Sequence, residues 1–346
     1  MKFFIQIILI LSIFLETGNL LSDSDLFNVN NILLEKKDNT SSKQLANRAK
    51  KEAFNQLAKR VLLKEDYPKV SDLSSTNVRE LVKYYKISKN PDEEKNKISF
   101  SITFDKDKIH NLFYEKEISY SDISDKDFYI LPILLSDNEI FVFSNNYFYE
   151  NWNLNSNDEL IEFILPLENI EVIQKINQLK INLLNLEIND LFKEYQNKNI
   201  ALVLIDNNKV DEKKIYLKTR IQGKIISKNL KLKKENLNEN KFNEKIVLEI
   251  KDEIINLVKS QNLIDIRTPA FLNVKFNLNK KNNLVLLNSR IKKIDLIENI
   301  FVQEFNKDYV NLKIKYLGKL EKIINQLKNE NISLQIVNDE WLIKAL

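Results

Sequence analysis

Ten of the 26 residues from Lys209 to Lys234 are lysine or arginine, and only Asp211 and Glu212 oppose them. Alternation decides what such a run can do. In IYLKTRIQ, Ile215, Leu217 and Ile221 fall on one face of a strand and Lys218 and Arg220 on the other. Further on, Lys231 and Lys233 alternate with Leu230 and Leu232. The pattern predicts a two-stranded ribbon whose outer face is basic, carried by Lys218, Arg220, Lys231 and Lys233. That face would suit lipid phosphates or an acidic partner. In a lysine-rich chain, an ordinary solvated strand face gives the same pattern. Gly223 fits the first central position of a type II′ turn joining the two strands, with Lys224 second.

Other chemistries have less to work with. His110 is the only histidine and cysteine is absent, which removes thiolate ligands, disulfides, a cysteine nucleophile and the usual zinc sets. His110 has no serine nucleophile elbow to serve. It lies beside the helical face of Ile109, Leu112 and Phe113, among charged residues, and reads as a surface side chain. Gly318-Lys319 follows an alternating strand, as in a phosphate-binding loop. Lys313 stands where that loop needs its first glycine, however, and Leu320 where it needs a hydroxyl. Gly318 is therefore read as the hinge from strand to helix. DNNKVDE, from Asp206, lacks the glycine of a calcium loop and reads as a hairpin turn. No cofactor or metal is expected. A pair of carboxylates for glycan hydrolysis stays open, since pairing in space cannot be seen in the sequence. NNYFYENWN gathers Tyr147, Phe148, Tyr149 and Trp152, read as a buried cluster at a domain junction.

The elements that must position these residues follow from composition and period. Across 346 residues, a hydrophobic share of 43% is enough for real cores, and the net charge of +4 is too small to imply nucleic acid. MKFFIQIILILSIFL has one lysine and then an apolar run from Phe3 to Leu15 broken only by Gln6 and Ser12, the pattern of a signal peptide over residues 1–22; an uncleaved anchor and a buried first helix are the alternatives. NTSS should cap a helix whose Ala46, Ala49, Ala53 and Leu57 form a small-residue stripe. Asp105 should cap a second helix. The first region, 23–160, then reads as an α/β domain of order β-α-α-β-β-α-β-β. Residues 161–265 end in strand, strand, strand, long helix. Residues 266–346 read β-α-β-β-α-β, the order of ferredoxin-like domains, with ISLQIV and EWLIK closing as a strand or hairpin. The fold class expected is α+β.

Several of these segments together resemble an exported bacterial family, the domain of unknown function 2066. They are NRAKKEAFNQLAKRVLL, LVKYYKI, ISFSITFDKDKIHNLF, YILPIL and NNYFYENWN, with YLGKLEKIINQLKNENISLQIVNDEWLI at the other end. RVLLKED stands where the family has a glycine. The middle strand-strand-strand-helix order is similar to the N-terminal domain of the periplasmic protein TolB. The resemblance implies a periplasmic or secreted location and supplies no active-site residues. The function expected is a non-enzymatic scaffold or protein-interaction module of the cell envelope, meeting other envelope proteins or anionic lipid head groups. The alternatives are a carboxylate-dependent glycan hydrolase and a binder of lipid or lipopolysaccharide phosphates. Any membrane contact would be peripheral or through an uncleaved N-terminus.

Overall fold

In the computed structural model, which describes residues 26–35, 41–88, 97–123, 125–154, 160–209, 211–278, 284–338 and 340–345, helices and strands are mixed as expected. The expected leader and the turn at 90–96 lie outside the described residues. The chain divides into two units. One takes the residues up to Ala58, Lys69–Ser119 and Ile264 onward; the other takes Lys59–Pro68 and Tyr120–Leu263.

The first unit opens with strand β1 (Asn28–Glu35) and helix α1 (Ser42–Val61). Ser41 and Gln44 form a capping box: the Gln44 amide donates to Ser41 Oγ at 3.2 Å, and the Ser41 amide to Gln44 Oε1 at 3.1 Å. Ala46, Ala49, Ala53 and Leu57 are all buried, as their spacing requires. Phe54 meets Phe104 edge-on, with ring centres 6.0 Å apart. Short helices α2 (Pro68–Ser71) and α3 (Ser75–Leu81) lead to β2 (Val82–Ser88) and β3 (Lys97–Phe104), and β3 lies between β1 and β2 in an antiparallel sheet. Asp105 then caps helix α4 (Lys106–Glu115) by accepting from the Asp107 and Lys108 amides.

The second unit holds β4 (Tyr120–Ser121), β5 (Asp127–Ser136), β6 (Glu139–Phe141), helix α5 (Tyr147–Asn151), β7 (Glu162–Ile164), helices α6 (Ile170–Gln178) and α7 (Ile188–Leu191), then β8 (Asn199–Lys209), β9 (Glu212–Ile221), β10 (Lys224–Lys233) and helix α8 (Glu239–Gln261). Its main sheet runs β10-β9-β8-β5-β6, with β7 also on β5. Strands β5 and β8 pair in parallel, Leu131 opposite Leu202, and β5 pairs in parallel with β7 as well. The sheet therefore crosses the division expected at 160/161. Backbone pairing across so many residues leaves no local mark in the sequence.

Both faces of this sheet are covered. On one, Ala201, Val203, Ile205, Ile215 and Leu217 pack with Phe242, Ile246, Ile250 and Ile254 of α8. On the other, Ile200, Leu202 and Leu204 pack with residues of the 172–192 segment. NNYFYENWN belongs to this core. Asn146 is fully buried, donates to the carbonyls of Pro132, Phe141 and Val142, and accepts from the Phe148 and Tyr149 amides. One side chain thus ties the end of β6 to β5 and caps α5.

The first unit resumes with β11 (Leu263–Ile264), β12 (Ala270–Asn277), helix α9 (Leu284–Ile291), β13 (Ile297–Phe305), β14 (Tyr309–Tyr316), helix α10 (Leu320–Asn329), β15 (Ile332–Val337) and β16 (Glu340–Ala345). Val310, Leu312, Ile314 and Tyr316 of β14 are buried in strict alternation. The sheet order is β13-β14-β12-β16-β15. The closing stretch is a hairpin, and its last strand enters the sheet: β16 lies parallel to β12 and carries β15 on its far side. Gly318 has φ +83° between β14 and α10, and the place of a Cβ there is 3.5 Å from Ile264 Cγ1. A left-handed residue is needed at that hinge, which is why one of only three glycines sits there.

Candidate functional site

The ribbon of β9 and β10 exists, with Lys218 opposite Ser227 and Lys231 opposite Lys214, a register shifted from the one expected with Gly223 and Lys224 at the centre of the turn. Its turn differs. Ile221 pairs with Lys224, so the two central residues are Gln222 and Gly223, both with positive φ (49° and 77°). That is the type I′ requirement, with glycine second rather than first.

The four basic residues do not make one outer face. Strand β9 is interior to the sheet, and the segment before β8 covers the face that Lys218 and Arg220 share. Arg220 is only 5% exposed; its guanidinium donates to Asn189 Oδ1 and to the Tyr195 carbonyl. Burial lowers its pKa. It is a structural tie and not an outward contact. Alternation showed which residues share a face, but not that a second layer covers both faces. Lys218 is half-buried, 2.9 Å from the Leu186 carbonyl and 3.2 Å from Glu187 Oε1. Lys231 and Lys233 are exposed on β10, and Lys231 pairs with Glu212 at 2.8 Å.

His110 also departs from expectation. It is buried, edge-on to Phe27 at 5.6 Å between ring centres, so the buried stripe of α4 is Ile109, His110 and Phe113. Burial, aided by the nearby Lys106, lowers its pKa to about 4. A buried neutral imidazole in an apolar contact is a packing residue. Lys213 is buried too, bonded to Glu239 and Asn243. The carboxyls of Glu212, Glu239 and Asp265 all sit below the usual range, held there first by hydrogen bonds from Lys231, Lys213 and Arg267 respectively. A glycosidase acid needs the opposite shift.

The feature that sequence reading passed over is β13. It is a nine-residue edge strand whose last five residues are exposed, among them Phe301 (46%), Val302 (59%) and Phe305 (64%). Phe301 pairs with Lys313, whose ammonium lies 4.4 Å from the ring centre of Phe271 on the neighbouring strand. Two irregularities in register, at 297–299 and 302–304, leave Asn299–Val302 as the regular stretch. IENIFVQEF shows its apolar residues plainly, but its place at a sheet edge depends on strand order. Among the described residues, no helix is long and apolar enough to cross a membrane, and no group of His, Asp or Glu could hold a metal.

No family model matches the chain, and no curated protein is significantly similar to it. Among solved structures, one described as "Crystal structure of uncharacterized protein" matches 40% of this chain and 99% of its own. The identity is 9% and the TM-score 0.18. A likeness that low carries no argument about fold or function.

Proposed function

We propose that the protein is a non-enzymatic interaction module of a bacterial cell envelope, which takes an extended segment of a partner protein against strand β13. The observation that carries this is the exposure of Phe301, Val302 and Phe305 on an edge strand without a single lysine. Edge strands offer unpaired backbone groups, and strand addition is a common mode of peptide recognition. Exposed aromatics beside such an edge are the usual anchors of an interface. In the same reading the leader directs export. The C-terminal sheet is a ferredoxin-like unit widened by β16, and the second unit is akin to the N-terminal domain of TolB. The family resembling the domain of unknown function 2066 supplies the setting.

Site-specific photocrosslinking tests it. A photoreactive residue at Gln303 of β13, in a cell that naturally makes the chain, should give one reproducible adduct, while the same residue at Lys231 should give none. Adducts from Lys231 alone, or none from either position with intact protein present, would sink the proposal.

A further inference from the structure

The face of β8, β9 and β10 opposite helix α8 is not covered evenly. The segment around Leu183–Leu186 lies over β8 and stops short of β10, leaving a trough of about 180 Å³. Its floor is two rungs of paired residues. Leu202 pairs with Lys218 and Lys218 with Ser227; Leu204 pairs with Tyr216 and Tyr216 with Asn229. Each rung therefore runs from leucine, through a side chain with an apolar stem and a polar tip, to a small polar residue. Leu183, Leu184 and Leu186 wall the leucine end, and Leu184 stays 59% exposed at the lip. The polar end opens toward the solvent-facing edge strand. On the same face, Lys214 and Lys231 form the next rung, about 7 Å along the strands.

We propose that this trough binds a single-chain anionic amphiphile of the long-chain carboxylate class. The gradient along each rung matches a molecule with one alkyl chain and one charged head: the chain lies against the five leucines, and the carboxylate meets Lys218, Ser227 and Asn229. Lys218 has three donors, of which the Leu186 carbonyl and Glu187 take two. The third remains for the head group, and on this side of the sheet the four lysines Lys214, Lys218, Lys231 and Lys233 stand against the three acids Glu187, Asp206 and Glu212. The trough is smaller than the ~300–1,000 Å³ of drug-sized pockets, which fits one chain rather than two. Lys218 lies on its floor, where the flat surface of a bilayer would not reach it. This site is separate from strand β13, and either proposal can fail alone.

Titration calorimetry of the full chain with dodecanoate, below its micelle concentration, tests the proposal. One molecule should bind per chain. Dodecanol should bind at least ~10-fold more weakly, because the charge-assisted bond to Lys218 is lost, and acetate should not bind. Lys218→Met should reduce dodecanoate affinity by about the same factor and leave dodecanol unchanged. Leu184→Glu places a charge at an already exposed position, so it should keep the melting temperature and abolish binding. That variant decides the matter if Lys218→Met fails to fold. The proposal is overturned by an absence of binding, by equal affinity of the Leu184→Glu variant and the parent, or by binding only to anionic phospholipid vesicles.

Discussion

Strands β10 and β13 both end a sheet, and they are guarded in different ways. Strand β10 is ten residues long and places exposed lysines at 224, 228, 231 and 233. Lys228 reaches Glu253 at 2.7 Å and Lys231 reaches Glu212 at 2.8 Å, so part of the charge is bound within the same unit. Strand β13 has no lysine. Its acids turn inward to the sheet: Glu298 pairs with Lys315 at 2.7 Å, and Glu304 accepts from Tyr309 and Asn311. The apolar residues exposed on β13 are Phe301, Val302 and Phe305, beside exposed Asn299, Gln303 and Glu304. Lysine on an edge is a standard defence against unwanted strand pairing. The basic run that first suggested a partner therefore reads more economically as edge protection, and the lysine-free edge of β13 is where we propose that a partner docks.

The largest effect expected from this comparison is on β13. Phe301→Lys adds the missing guard at an exposed position, so the melting temperature should move by no more than a few degrees. Partner capture at Gln303 should fall ~30-fold or more, the scale of losing an aromatic anchor worth about 2 kcal/mol. Unchanged capture would mean that β13 is not the docking edge. The reverse change belongs on β10. Replacing Lys224, Lys228, Lys231 and Lys233 together by threonine should turn a single species into larger assemblies, read by light scattering at matched concentration. Arginine at the same four positions should not. If the threonine variant stays monodisperse, charge is not what protects that edge.

How much of this was legible depends on the range of the interactions. The capping box of Ser41 and Gln44, the alanine stripe of α1, the alternation of β14 and the hinge at Gly318 were all readable, because each is set within one turn or one strand. Arg220 and His110 were misplaced for a shared reason. Each looks polar and outward within its own element, and is buried by an element distant in sequence: Tyr195 and Asn189 over Arg220, and Phe27 against His110. The edge status of β13 was invisible for the same reason. Nothing in IENIFVQEF says that β14 has a neighbour on its other side while β13 has none among the described residues.

His110 also gives the unit that carries β13 a dependence on pH. Its folded pKa is about 4, below the unfolded value of ~6.5. The unfolded chain therefore binds the proton more readily. The contribution is fully present above about pH 6.5 and is lost as pH falls toward 4. The size is on the order of 3 kcal/mol. Urea unfolding at pH 7 and at pH 4 should show the parent losing about that much more than His110→Leu, which has no imidazole to protonate. Equal losses would mean that the ring is already solvated.

The smallest effects separate basic residues that hold the fold from those that guard an edge. Arg220→Met removes a buried guanidinium and its hydrogen bonds to the Asn189 side chain and the Tyr195 carbonyl, which should cost about 1–2 kcal/mol. Lys233→Met, at an exposed position of β10, should cost less than ~0.5 kcal/mol. Both remove one positive charge, so a long-range electrostatic role would make them equal. Burial makes them differ, because only Arg220 gives up a buried side chain and its hydrogen bonds. If chemical unfolding gave equal costs, the basic run would have to be treated as one field, and the contrast between β10 and β13 would rest on exposed hydrophobic surface alone.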